Sequence, residues 1–177
     1  TNLSPAFEGL HDIYIPTYRP TRQPIPLTQV DERIGTHAIN IDPAKIVGIV
    51  INNDLHDSPS TVTAPDDETQ GIADHLIAFF EKEVAEERLP KNLGPLQAGI
   101  GSIANAVLTG LKDSNFEDLV MYSEVLQDCT FELIDAGKMK FASGSSITLS
   151  AKYGEKVFNN LEAYKDKLVL RPQEISN

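Results

Sequence analysis

The sequence predicts an α/β domain, a mostly parallel open sheet flanked by helices. Three observations lead there. Strand-length apolar runs alternate with stretches of helical period from residue 67 to residue 170, the order that builds parallel sheets through helical crossovers. The run Lys45–Asn52 (Lys-Ile-Val-Gly-Ile-Val-Ile-Asn) is almost continuously β-branched, which marks a strand buried on both faces. Gly99-Ile100-Gly101 joins the apolar stretch Pro95–Ala98 to a helix-like stretch, so strand, tight turn and helix follow one another there.

Residues 1–43 are irregular and rich in proline, as in Ile15-Pro16, Arg19-Pro20 and Gln23-Pro24-Ile25-Pro26. Proline at that spacing blocks helix and central strand and leaves extended segments. The strand at 45–52 comes next, and the polar stretch Asn53–Pro65 is the candidate domain boundary. A helix is expected from about Asp67 to Arg88, with acidic residues in its first turn and Ile72, Leu76, Phe80 and Val84 at four-residue spacing. Phe79-Phe80 reads as core.

A strand at 95–98, the glycine turn, a helix at 102–111 and a strand at 119–125 follow. Ser102 reads as the N-cap of its helix, with Asn105 reaching back toward it. The next helix runs from about Gln127 to Gly137, a residue suited to a left-handed cap. A short strand, Met139–Ala142, leads into the small-residue loop Ser143-Gly144-Ser145-Ser146, and a helix at 151–163 and the strand Leu168–Leu170 complete the pattern. With no initiator methionine, the chain reads as a piece of something longer.

With 177 residues, 41% of them hydrophobic, the chain suits one ordinary domain or pieces of two. No apolar run approaches a membrane helix, and no signal-peptide pattern is visible; no membrane partner is expected. A net charge of −11 argues against nucleic acid. Lys138, Lys140, Lys152, Lys156, Lys165, Lys167 and Arg171 form a basic stretch that reads as a solvated face, with a landing strip for cofactor phosphates as the sharper alternative. The single cysteine, Cys129, excludes an internal disulfide and fits a reducing compartment. It lies near a helix start, where a thiol pKa can fall, but packing as a small hydrophobe suits it better. His56 stands between Asp54 and Asp57 with no second histidine or cysteine at ligand spacing, so a solvated loop and no metal are expected.

Chemistry gathers at the glycine turn and at Glu124, which ends the strand expected at 119–125. Backbone amides at a strand–turn–helix junction point at an anionic or carbonyl ligand. A parallel neighbour strand delivers its carboxylate to the same edge, where ligands bind. An oxyanion trap facing a carboxylate is the minimum equipment for acyl chemistry. Two other readings stand beside this one. Gly99, Gly101 and Ala104 satisfy G-x-G-x-x-G/A with Glu124 where a ribose-binding acid would sit, the pattern of an NAD-dependent oxidoreductase. Alternatively the glycines only turn a strand into a helix, and Glu124 is a surface acid.

The segments Gln97-Ala98-Gly99-Ile100-Gly101-Ser102-Ile103-Ala104-Asn105-Ala106-Val107 and Met121-Tyr122-Ser123-Glu124-Val125-Leu126-Gln127-Asp128 resemble two motifs of the acetyl-CoA hydrolase/transferase family, among the class I CoA-transferases. Gly9-Leu10-His11-Asp12-Ile13, Asp31-Glu32-Arg33-Ile34-Gly35, Asp42-Pro43-Ala44-Lys45-Ile46-Val47 and Arg171-Pro172-Gln173-Glu174-Ile175-Ser176-Asn177 extend the resemblance in order along the chain. It implies a CoA-transferase fold, with residues 1–60 ending an N-terminal domain and its linker and residues 61–177 opening a C-terminal one. It implies Glu124 as nucleophile, Gly99, Ile100, Gly101, Ser102 and Ile103 as CoA-site and oxyanion-hole backbone, and Asn177 as the residue positioning the thioester. Coenzyme A would be the substrate carrier, the partners acyl-CoA and small carboxylic acids, the assembly a homodimer, and the location cytoplasmic, or mitochondrial in a eukaryote. Family chains are much longer and supply further site residues downstream.

The residue types suit that chemistry. An ordinary glutamate is ionised at neutral pH without a helper base. It attacks the acyl-CoA carbonyl while turn amides hold the oxyanion. An acyl–glutamyl anhydride and then a glutamyl–CoA thioester follow, and an acceptor acid reverses the steps. Acetyl-, succinyl- or propionyl-CoA would be the donor and a carboxylate such as acetate the acceptor. Water reaching the intermediates turns the same site into a hydrolase.

Overall fold

The structure is a computed structural model and describes residues 5–15, 21, 23–52, 58–61 and 65–173. Four parallel strands form its main sheet, in the order β1 (Pro95–Leu96), β2 (Leu119–Tyr122), β4 (Met139–Gly144) and β6 (Leu168–Leu170). A short parallel pair, β3 (Val125–Leu126) with β5 (Ser146–Ile147), continues beyond β2 and β4. The expected α/β architecture is therefore present.

Each step across the sheet moves to the next strand in the same direction. Right-handed crossovers then place the connecting helices on one face, and α2 (Ser102–Asp113) does pack on α3 (Asp128–Asp135). Alternation in β2 follows from this layering: Leu119 and Met121 are buried, while Val120 and Tyr122 on the other face are half-buried. The core between sheet and helices is filled by Leu108, Leu111, Phe131, Leu133, Met139 and Leu168, among others.

Helix α1 (Asp67–Ala85) starts where Asp66 caps it by accepting from the Thr69 N–H at 2.9 Å. It lays Ile77, Phe80 and Val84 against the core beside α2. Phe80 is thus the core residue expected, whereas Phe79 points outward and is 52% exposed. Gly137 adopts φ +72° just past α3, the left-handed cap its position predicts. The helix expected to span 151–163 divides into α4 (Ala151–Phe158) and a 3-10 helix, Leu161–Lys167. The loop expected at Ser143–Ser146 is largely strand: β4 continues to Gly144 and β5 begins at Ser146.

Lys45–Asn52 differs most from expectation. Pro43–Lys45 is a 3-10 turn capped by Asp42, and 46–52 forms no strand. Val47 is 104% exposed and Val50 93%. A continuous β-branched run reports a need for two covering layers, and no described part of this chain supplies either.

The N-terminal segment closes the other edge of the sheet. Asp12 N–H donates to the Leu170 carbonyl and Leu170 N–H to the Leu10 carbonyl, both at 2.9 Å, so 10–12 runs parallel beside β6. The basic stretch behaves as a solvated face over much of its length. Lys138 pairs with Glu117, Lys140 with Asp118, Lys156 with Asp135 and Lys165 with Glu162. Arg171 is the exception, because its side chain is fully buried.

Candidate active site at the carboxyl edge of the sheet

All four strands of the main sheet end at one edge, and each delivers a piece of the site there. The glycine turn leaves β1, Glu124 follows β2, Ser145 follows β4, and Arg171 to Gln173 follow β6. Parallel strands concentrate ligand-binding groups at this edge because every loop emerging from it begins at the same height.

The turn and Glu124 stand on neighbouring strands. Leu96 is in register with Met121. The Ser123 hydroxyl, fully buried, carries that pairing onward: it donates to the Ala98 carbonyl at 2.9 Å and accepts from the Ala98 N–H at 3.4 Å. Gly99 follows Ala98 and Glu124 follows Ser123, so turn and acid both start from this bonded pair. Ser123 was not among the residues expected from the sequence. Its signal was a small polar residue in phase with Leu119 and Met121 on the buried face of the strand.

Gly101 is the N-cap of α2, at φ 145° and ψ 169°, a conformation essentially reserved for glycine. Ser102 is therefore the first helical residue and not the cap, and the cap makes no side-chain hydrogen bond. The leading amides of α2, which have no acceptor within the helix, are left to backbone geometry and to whatever binds there. Asn105 does not reach back toward Ser102. It is buried, and its Oδ1 accepts from the Cys129 thiol at 3.6 Å. Burial pushes that thiol up to about 11, so Cys129 is the packed small hydrophobe expected and not an activated thiol. Ile100 and Ile103 are 74% and 49% exposed, and they border a cavity of about 560 Å³ between the turn, α1 and α2. Leu76, Phe80, Val107 and Leu111 give this cavity an apolar wall; Glu124 is not among its lining residues.

Glu124 sits at the kink between β2 and β3 and is half-buried. Its main-chain carbonyl accepts from Ser145 N–H at 2.7 Å, Ser145 Oγ at 2.9 Å and Ser146 N–H at 3.2 Å. These bonds fix the residue's backbone while its side chain projects past the end of β2. One carboxylate oxygen accepts from the Gln173 side-chain amide at 2.6 Å. Asn177, the remaining site residue expected from the sequence, lies outside the described residues, as do His56 and its flanking aspartates. Among the described residues there is no group of three or more His, Cys, Asp or Glu placed to hold a metal.

Arg171 anchors the β6 end of the site. It forms a buried ion pair with Asp12, and its Nε donates to Ser143 Oγ at 2.8 Å. Its Nη2 donates to the Val30 carbonyl at 3.1 Å and to the Glu32 carbonyl. Asp12 in turn accepts from the Gly35 N–H at 2.6 Å and the Ile34 N–H at 3.1 Å. Burial pushes the Arg171 guanidinium down from its ordinary range, and Asp12 opposes that shift. Three of the motifs quoted above, around Asp12, Arg33 and Arg171, thus converge in one buried knot.

No protein-family model matches the chain. Curated relatives do. An acetyl-CoA hydrolase of Neurospora crassa is 48% identical over 177 residues, covering 98% of this chain and 33% of its own. Acetyl-CoA hydrolases of Schizosaccharomyces pombe and Saccharomyces cerevisiae are 47% and 43% identical, with the same two coverages. The chain therefore spans about a third of the length of the curated relatives it matches. Their names speak of acetyl-CoA hydrolysis and of no dinucleotide.

Proposed function

Because this chain belongs to the acetyl-CoA hydrolase/transferase family over the segment it shares with these relatives, we propose that the whole protein transfers CoA between an acyl-CoA and a small carboxylate. Acetyl-, succinyl- or propionyl-CoA is the donor, acetate a typical acceptor, and hydrolysis of acetyl-CoA the outcome when water intercepts the intermediate. The observation that carries this reading is the pinning of the Gly99 turn beside Glu124 through Ser123 and Ala98.

A Glu124 carboxylate oxygen attacks the thioester carbonyl, and turn amides accept the developing negative charge, a contribution of about 3–4 kcal/mol per donor in comparable sites. The carbon–sulfur bond breaks and CoA leaves as thiolate with the electron pair. The thiolate then attacks Cδ of the anhydride, the donor acid departs as carboxylate, and a glutamyl–CoA thioester remains. An acceptor carboxylate runs the sequence in reverse. Carboxylates are weak nucleophiles, so binding energy from the remote parts of CoA must be spent at the reacting centre. The apolar cavity beside Ile100 and Ile103 suits the uncharged arm of such a ligand.

In this reading residues 1–60 end an N-terminal domain and its linker, and residues 61–177 open the C-terminal domain. The bare β-branched run at 46–51 supports that division, since a strand of this composition belongs within a sheet. A homodimer in the cytoplasm, or in the mitochondrion of a eukaryote, completes the proposal.

Mass spectrometry of the whole protein after incubation with acyl-CoA tests it. A CoA-sized adduct is expected on the peptide carrying Glu124, and Glu124→Gln should lose both adduct and turnover while still binding CoA. Normal turnover by that variant refutes the assignment. Acetyl-CoA with and without succinate then separates transfer from hydrolysis.

A further inference from the structure

The contact between Gln173 and Glu124 has no part in the chemistry above. Its partners are 49 residues apart, and the bond is short for a neutral amide on a carboxylate, 2.6 Å from Nε2 to Oε1. It is also well supported from behind. Gln173 stands two residues beyond Arg171, whose buried guanidinium ties the end of β6 to Asp12, Ser143, Val30 and Glu32. The Arg171 N–H also donates to the Gly144 carbonyl at 2.8 Å, next to the serines that hold the Glu124 main chain. The main chains that carry donor and acceptor are thus both tied to the end of β4, Arg171 through Gly144 and Glu124 through Ser145 and Ser146.

Resting on the proposed function, we propose that Gln173 is a catalytic residue. Its side-chain amide is the donor that stabilises negative charge on Glu124's own carbonyl oxygen. In the first step one Glu124 oxygen bonds to the acyl carbon, leaving the other as the carbonyl oxygen of the anhydride. Gln173 holds that second oxygen. When CoA thiolate attacks Cδ, the electron pair of this carbonyl moves onto the oxygen that Gln173 contacts, giving a second tetrahedral oxyanion. Collapse returns the pair, breaks the bond between Cδ and the bridging oxygen, and expels the donor acid as carboxylate. No proton moves, so a donor that never ionises suits the position.

Two chemically distinct oxyanions therefore form at this edge. The turn amides serve the one on the substrate acyl group, and Gln173 serves the one on the enzyme. Water attack on the glutamyl thioester passes through the same enzyme oxyanion, so Gln173 accelerates hydrolysis as well as transfer.

Gln173→Met removes the donor at similar length, and the side chain is exposed, so folding should be unchanged by circular dichroism and thermal melting. The whole protein, wild type and variant, is mixed with excess acetyl-CoA, and formation of the Glu124 adduct is followed by rapid-quench mass spectrometry alongside steady-state kinetics. The expected result is adduct formation and kcat slowed about 100-fold, as for loss of one oxyanion donor, with KM for acetyl-CoA within about threefold. An adduct formed at the wild-type rate in Gln173→Met overturns the inference and leaves the proposed function standing. A deficit confined to KM, or one accompanied by a lowered melting temperature, also overturns it. Absence of any adduct in the wild type overturns the proposed function itself, and this inference with it.

Discussion

Removing one member of the Asp12–Arg171 pair should cost far more than a typical surface change. The two side chains are 1% and 0% exposed and lie 159 residues apart in sequence. Asp12→Ala strands a buried guanidinium and also removes the acceptor of the Ile34 and Gly35 N–H groups. Arg171→Met strands the Asp12 carboxylate and deprives Ser143, Val30 and Glu32 of a donor. Breaking one side of a buried pair costs about 3–5 kcal/mol. For a chain of this size that lowers the melting temperature by roughly 6–20 °C. The double variant leaves no uncompensated charge, so its loss should be smaller than the sum of the singles by about 0.5–3 kcal/mol. Urea denaturation of the 177-residue chain, followed by circular dichroism, measures all three losses. Single variants within about 1 kcal/mol of wild type, or strict additivity in the double, would refute the assignment of the knot as the anchor of β6.

Gly101→Ala should destabilise the chain by about 1–3 kcal/mol, because φ 145° excludes a side chain even though an added Cβ would meet nothing within 4 Å. An unchanged melting temperature would show that the turn relaxes freely. Cys129 should resist iodoacetamide at pH 8 and react once unfolded in urea, since burial holds its thiol at about 11. The folded pKa lies above the unfolded value of roughly 8.5. This group's stabilising contribution is therefore full below that value and is lost as pH rises toward about 11, on the order of 3 kcal/mol in all. Stability that does not fall across that interval would contradict the burial of the thiol.

Much of the C-terminal part was legible because its elements carry local signals. An acidic first turn and four-residue apolar spacing in α1, and a glycine after α3, each act within a few residues of where they are read. Short strands alternating with helices gave the parallel sheet for the same reason, and a parallel sheet places Glu124 and the glycine turn at one edge. Ser102 was misplaced by one position because serine is a common cap. Gly101 takes the cap instead, since only glycine tolerates that backbone.

The sequence by itself determined the alternation of helices and parallel strands from α1 onward and singled out Glu124 and its turn, because hydrophobic period and turn chemistry are local properties of the chain; the division of the strand expected at 119–125 into β2 and β3 was not among them. Only the tertiary structure decided that Ser123 bridges the two site strands, that Asp12 meets Arg171, and that Gln173 grips Glu124. It also left the run at 46–51 uncovered, against expectation. Each of these outcomes depends on which distant surfaces come together, and no residue's local pattern encodes the identity of a partner that folding brings from far along the chain.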